Sequence, residues 1–152
     1  MTHTFSKVYL HIILSTRNRQ PWLRGDINNK LYKFVGGICK GEECSPLGIG
    51  GSLDHIHILC QLDKNISILG LIEEIKIGSV KWLRTHPQLQ DFNWQQGYNV
   101  FSVGEDDLLR IQHFIQTQKE HHLSLSFAEE LKKLLSESEP DLSEPSWLQV
   151  NK

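Results

Sequence analysis

The chain has 152 residues, 39% of them hydrophobic, which is enough apolar material for one globular domain with an ordinary core. A formal net charge of -2 argues against a protein that coats duplex DNA by bulk electrostatics, because such proteins usually carry a large basic excess. No run approaches the roughly 20 apolar residues that span a bilayer and no signal-peptide pattern is present, so a cytoplasmic protein is expected.

The first half of the chain alternates strand and helix patterns. Phe5 to Ser15 mixes aromatic and β-branched residues, which predicts a buried strand, and Thr16 to Gln20 follows as a basic loop. Apolar residues then recur at spacings of three and four from Ile27 to Ile38 and predict an amphipathic helix. Two strand-like runs, Ser45 to Gly51 and Leu53 to Leu62, predict a hairpin.

The second half continues with helix, strand and helix. Ser67 can cap a helix that runs to about Thr85, with acidic residues early and basic residues late, as the helix dipole favours. After a turn at Trp94 to Gly97, Tyr98 to Val103 alternates as a strand. Asp106 to His122 and Ser126 to Leu135 predict two further helices.

This order of elements is typical of an α+β fold. It predicts an antiparallel sheet with helices packed on it, a ferredoxin-like βαββαβ core followed by C-terminal helices. We expect one domain over residues 1–135. From Ser136 the chain is rich in Ser, Glu and Pro, which predicts an acidic, flexible tail over residues 136–152.

Two histidines on the second hairpin strand are the first candidate for chemistry. His55 and His57 are two residues apart, so both imidazoles project from one face while Ile56 points into the core, an arrangement that suits one metal ion. For an isolated motif, exposed or hydrogen-bonded strand histidines are the commoner explanation. A third ligand must come from elsewhere. Phe114 and Gln118 share a face of the last long helix, and a Gln carbonyl oxygen is a credible ligand for Mg2+ or Mn2+.

Four stretches resemble the single-tyrosine HUH transposases of small bacterial insertion sequences and the related REP-associated group. They are YLHIILSTRNRQPWL, LGIGGSLDHIHILCQL, IKIGSVKWL and WQQGYNVFSVGEDDLLRIQHFIQTQKEHH, which together cover about Tyr9 to Phe127 in order. The resemblance implies that His55 and His57 bind the metal with Gln118 as the further ligand. It also implies that the ion is Mg2+ or Mn2+.

In that family a helix tyrosine attacks the scissile phosphate, leaving a 5'-phosphotyrosine and a free 3'-hydroxyl. The resemblance puts Phe114 at the position of this tyrosine, and phenylalanine has no oxygen to bond to phosphorus. Cleavage through this position is therefore impossible in the chain as it stands. A deliberate replacement that stops turnover and a natural loss of cleavage both remain open. Tyr98 is an alternative nucleophile, but relatives carry its WQQGY segment alongside the helix tyrosine.

Residues outside the metal motif are candidate DNA contacts, although solvated surface charges and core aromatics are the plain alternative. The stretch from Met1 to Gly25 carries four basic residues and no acidic one, and its tryptophan could stack on an unpaired base. Three more cations share the predicted second helix. The candidates are Arg17, Arg19, Trp22, Arg24, Lys76, Lys81 and Arg84. His11, inside the first strand, is interpreted as a hydrogen-bonded sheet histidine without a site role.

Three functions are compatible with these features. The first is a DNA transposase that binds hairpin-bearing single-stranded DNA and cleaves and rejoins it with a divalent metal, which the resemblance implies works as a homodimer. The second is a cleavage-deficient DNA-binding protein, either a regulator or a domesticated remnant. The third is a small metallohydrolase that uses His55 and His57 with water as the nucleophile.

Overall fold

The computed structural model describes residues 3–118 of the chain. The chain divides into two compact units, Met1–Gln116 and Thr117–Lys152, so the description covers the first unit almost completely and only Thr117 and Gln118 of the second. The predicted helix over Ser126 to Leu135, the predicted tail from Ser136 and the boundary between them lie outside the described residues.

The first unit has the predicted order of strands and helices. The elements are β1 Val8–Ser15, α1 Ile27–Gly41, β2 Ser45–Gly51, β3 His55–Leu62, α2 Ile68–Leu83, β4 Asn99–Val103 and α3 Leu108–Gln116. The first strand is shorter than predicted and begins at Val8. The last helix begins at Leu108 because Glu105–Asp107 form a turn of 3-10 helix before it.

The four strands form one antiparallel sheet in the order β2-β3-β1-β4. The two central strands pair along their whole length, from Val8 opposite Leu62 to Ser15 opposite His55. Together with the helices this is the ferredoxin-like βαββαβ arrangement, so the predicted fold class is confirmed. Among the described residues no helix is long and apolar enough to span a membrane.

The alternation of side chains along the central strands gives the sheet two different faces. On one face the core packs against α1 and α2, and its fully buried members include Ile12, Ile56, Ile58, Leu31 and Ile75. On the other face Leu59 packs against Ile111 and Ile115 of α3 in a smaller cluster. The face that carries the two motif histidines is therefore the one that α3 covers.

The start of α2 agrees with the sequence in detail. Ser67 has an extended backbone, and its hydroxyl oxygen accepts a hydrogen bond from the amide of Gly70 at 2.9 Å. This bond satisfies one of the amide groups that the first turn of a helix leaves without an intrahelical partner. The predicted N-cap is therefore correct.

Candidate functional site

His55 and His57 lie on the face of β3 opposite to Ile56. His57 pairs with Ile13 of β1 and His55 pairs with Ser15, and both imidazoles are fully buried. Their ring centres are 5.0 Å apart and the ring planes make an angle of 79°. The two rings are therefore buried neighbours on one face of β3, not exposed histidines on a solvated strand.

An acidic side chain fixes the ring of His55. Its Nδ1 lies 2.8 Å from Oδ1 of the preceding residue, Asp54, and the second carboxylate oxygen of Asp54 lies 3.4 Å from Nε of Arg19. An ionised carboxylate accepts hydrogen bonds and cannot donate them. The ring proton of a neutral His55 must therefore sit on Nδ1. Nε2 of His55 then carries the lone pair that a metal ion requires.

A second histidine holds the ring of His57. Nε2 of His11, from β1, lies 2.8 Å from Nδ1 of His57, and only 2% of His11 is exposed. His11 was not predicted to belong to the site. A single polar residue, His11, in the middle of an otherwise apolar strand was the available signal, but the register that puts His11 next to His57 is a property of the paired strands.

Helix α3 brings Phe114 onto the same group of rings. The centre of the Phe114 ring lies 5.6 Å from that of His57 in an edge-on arrangement, and 6.5 Å from that of His11. Gly50 of β2 pairs with His57, and a Cβ atom at Gly50 would lie 2.6 Å from the carbonyl oxygen of Ile115. The glycine therefore allows the helix backbone to approach the sheet at the point where Phe114 meets His57.

Gln118 lies two residues beyond the end of α3, among the first residues of the second unit, and its side chain is buried. Its predicted role as a metal ligand stays a prediction. Within residues 3–118 no group of three or more His, Cys, Asp or Glu side chains could hold a metal ion. Among the described residues, the imidazoles of His55 and His57 are thus the pair to which a further ligand would be added.

The spacing of the two imidazoles fits a shared divalent ion. An imidazole nitrogen binds such an ion at about 2.1 Å, which places the ring centre about 3.3 Å from the ion. Two rings bound at a right angle to one ion then have centres about 4.7 Å apart, close to the 5.0 Å between His55 and His57. The separation of the two ring centres is therefore close to the one that a shared ion would require.

The loop after β1 is anchored beside His55. The amide of Thr16 donates to the carbonyl of Asp54 at 2.8 Å, and the amide of Asn18 donates to the side-chain oxygen of Gln95 at 3.1 Å. Asn18 and Arg19 have φ values of 53° and 54°, a left-handed conformation that non-glycine residues seldom adopt. Such conformations cost free energy and are kept only where contacts with the surrounding structure hold them in place. They are most frequent at functional sites.

Trp22 and Arg24 line a cleft of about 670 Å3 next to this loop. One side of Trp22 packs on the core, with its ring centre 5.3 Å from that of Phe92, and Nε of Arg24 donates to the carbonyl of Pro21 at 2.8 Å. The remaining lining residues are Gln20, Pro21, Ile27, His86, Gln88 and Leu89. An aromatic ring, a guanidinium and amide groups thus meet in one open cleft.

The three cations of α2 differ in their surroundings. Nζ of Lys76 donates to the carbonyls of Gln95 and Gly97, and burial lowers the pKa of Lys76. Nε of Arg84, which follows the last residue of α2, donates to the carbonyl of Phe92 at 2.9 Å, and both Arg84 and Lys81 are exposed. Lys76 and Arg84 therefore stabilise the segment between α2 and β4. Their predicted contacts with DNA stay predictions.

Comparison with known proteins gives one family. Residues 4–118 match the model of the family described as IS200-like transposases. No curated protein matches the chain significantly.

Two solved structures share the fold. One is a candidate transposase from Deinococcus radiodurans R1, at 19% identity and a TM-score of 0.62, covering 78% of this chain and 95% of that one. The other is a REP-associated tyrosine transposase bound to a REP hairpin, at 13% identity and a TM-score of 0.60, covering 80% of this chain and 72% of that one.

Proposed function

Because the chain belongs to the IS200-like transposase family, we propose that it binds hairpin-bearing single-stranded DNA and a divalent metal, as an HUH-class transposase does. Membership implies the nuclease and strand-transfer chemistry of a transposase. A structural neighbour with the same fold is bound to a REP hairpin, which supports a hairpin as the DNA partner. The homodimer expected from the resemblance belongs to the same proposal, and sedimentation of the purified chain tests it.

The proposed metal ligands are His55, His57 and Gln118, with Mg2+ or Mn2+ as the ion. The burial of the two imidazoles and the 5.0 Å between their ring centres support a shared ion. When bound, the ion polarises the scissile phosphate and stabilises the charge that develops on it. The protein contributes ligands whose rings are already oriented, which reduces the entropic cost of binding.

The observation that carries the proposal is the contact between Phe114 and His57. A tyrosine at position 114 would carry its hydroxyl on a ring that packs edge-on against His57, with 5.6 Å between ring centres. A nucleophile beside the proposed ion needs this proximity. Phenylalanine preserves the packing and lacks the oxygen, so we propose that this chain binds DNA and does not cleave it through position 114.

The loop after β1 and the cleft beside it are the proposed path of the DNA. Arg17 and Arg19 lie in the loop next to Asp54 and His55, and Trp22 and Arg24 line the cleft. Arginines bind and position phosphates. A tryptophan stacks on an unpaired base of any type. Lys81 on α2 and Arg84 just beyond its end are both exposed and are candidates for contact with a phosphate, with Lys76 as a further candidate.

Restoring the nucleophile tests the proposal. Phe114→Tyr should form a covalent adduct with the 5' phosphate of a hairpin-bearing single strand in the presence of Mg2+ or Mn2+. The chain with Phe114 should form none, and the double variant Phe114→Tyr, His57→Ala is the matched control that should also form none. Hydrolysis without an adduct by the Phe114 protein, together with no affinity for single-stranded DNA, would instead identify a metallohydrolase.

A cleavage-deficient DNA-binding protein is the second candidate, and Phe114 is the observation that favours it. A regulator or remnant of this kind would retain hairpin binding, since the loop, the cleft and the cations do not depend on the oxygen at position 114. Its signature is a Phe114→Tyr variant that binds the hairpin with unchanged affinity and still forms no adduct. Measuring binding and adduct formation on the same labelled hairpin separates this outcome from an active transposase.

A further inference from the structure

A third histidine lies beside the two histidines of the proposed metal site. His11 and His57 come from neighbouring strands, and their ring centres are 5.0 Å apart. Nε2 of His11 lies 2.8 Å from Nδ1 of His57, and both rings are buried. Two aromatic rings also lie near His11, with ring centres of Phe101 and Phe114 at 6.2 Å and 6.5 Å. The hydrogen bond is thus made between two buried rings.

Two arrangements of the proton are compatible with this bond when both rings are neutral. Either Nδ1–H of His57 donates to Nε2 of His11, or Nε2–H of His11 donates to Nδ1 of His57. In the second arrangement His57 carries its own proton on Nε2, and that nitrogen has no lone pair for a metal. Only the first arrangement leaves Nε2 of His57 ready to bind an ion.

We infer that His11 is a positioning residue: its Nε2 accepts a hydrogen bond from Nδ1–H of His57 and thereby keeps His57 in the tautomer whose Nε2 binds the metal. This inference rests on the proposed metal site. Asp54 has the same role for His55, since its carboxylate accepts a hydrogen bond from Nδ1–H of His55 at 2.8 Å. Both motif histidines are then held at Nδ1, one by a carboxylate that is partly exposed and one by a neutral ring that is buried.

The difference between the two acceptors has a physical reason. Asp54 has 22% of its side chain exposed and an arginine within 3.4 Å, so its charge is compensated. His11 is only 2% exposed, and an ionised carboxylate at that depth would lose its hydration, which costs free energy. A neutral imidazole at this position accepts the hydrogen bond from His57 without placing a charge in the interior. The choice of histidine at position 11 therefore follows from the depth of the site.

The first test needs no metal. In metal-free protein labelled with 15N, long-range correlation of the imidazole nitrogens identifies which nitrogen of His57 is protonated, and a His57→Gln variant assigns the signals. We expect the proton of the neutral His57 ring on Nδ1 and none on Nε2. A His57 ring protonated mainly on Nε2 would overturn the inference, whether or not the protein binds metal.

The second test is the affinity for Mn2+, which is measured from the electron paramagnetic resonance signal of the free ion. His11→Phe removes the acceptor and should weaken binding by about 10- to 100-fold, the usual effect of losing a partner of a metal-binding histidine. His11→Gln places an amide oxygen near the position of Nε2 and should retain most of the affinity. Ile13→Val, which trims the residue paired with His57 without touching the hydrogen bond, is the matched control and should bind Mn2+ like the parent.

The outcomes separate the inference from the function on which it rests. Loss of affinity in His11→Phe together with recovery in His11→Gln supports the acceptor role. Parental affinity in a folded His11→Phe, or equal losses in the two His11 variants, contradicts it. If His57→Ala itself binds Mn2+ like the parent, the proposed metal site is wrong. The nitrogen spectrum still reports on the bond between the two rings in that case.

Discussion

Substitution of Gly50 by alanine should loosen the contact between α3 and the sheet. The new Cβ would lie 2.6 Å from the carbonyl oxygen of Ile115 and 3.1 Å from its Cγ2 atom. Ordinary contact needs about 3.4 Å, so the helix backbone must move by roughly 0.8 Å, and a backbone oxygen cannot rotate away as a side chain can. Overpacking of this kind costs about 1 to 3 kcal/mol in the free energy of unfolding.

The same displacement should reach position 114, because Phe114 directly precedes Ile115 on the helix. In the Phe114→Tyr background, a nucleophile misplaced by most of an ångström should form the covalent DNA adduct up to about 100-fold more slowly. Urea unfolding followed by tryptophan fluorescence gives the stability, and single-turnover adduct formation gives the rate. The two measurements use the same protein preparations.

Gly48→Ala is the matched control for this experiment. Gly48 lies on the same strand and under the same helix, but a Cβ there would meet only Cγ of Gln112, at 3.6 Å, and the Cα of Gln112, at 3.9 Å. Both are ordinary contact distances, so this variant should be as stable as the parent. If Gly50→Ala unfolds at the same urea concentration as Gly48→Ala and forms the adduct equally fast, the argument that Gly50 sets the helix position is refuted.

Three further predictions follow from single contacts. Ser67→Ala removes the hydroxyl that accepts from the amide of Gly70 and should lower the free energy of unfolding by about 1 kcal/mol in a urea titration, with Ser67→Asp retaining it. Ser79→Ala deprives the buried Nε1 of Trp94 of its 2.9 Å acceptor and should destabilise by about 1 to 3 kcal/mol, visible as a lower thermal midpoint. Trp22→Ala should weaken single-stranded DNA binding by about 1 to 3 kcal/mol in fluorescence anisotropy, and unchanged affinity would argue against stacking in the cleft.

Much of the fold could be predicted because its signals are local. The cap at Ser67, the apolar spacing from Ile27 to Ile38 and the alternation in the hairpin strands each depend on a few neighbouring residues. The start of the last helix was placed too early for the same reason. Glu105–Asp107 look like an acidic first turn of a helix, but they form a separate 3-10 turn before Leu108.

The candidate site could be predicted only in part because its contacts join distant segments. The spacing of His55 and His57 fixes a common face, and this could be read without a structure. The bond between His11 and His57 depends on the register of β1 with β3, and the approach of Phe114 depends on the missing Cβ of Gly50. Neither the register nor the backbone distance has a local signature, so His11 was interpreted as an ordinary sheet histidine.

The side chain at position 114 separates the packing of an aromatic ring from the chemistry of a hydroxyl group, which a tyrosine combines in an active transposase. The ring at this position packs against His57 and belongs to the cluster that holds α3 on the sheet, whereas the hydroxyl of a tyrosine would add only the chemistry. Loss of the oxygen therefore leaves the helix, the histidines and the arginine loop as they are. Under the proposed function, selection or design could remove cleavage at position 114 without disturbing the proposed DNA binding, because the atom that is lost is not one that the fold requires.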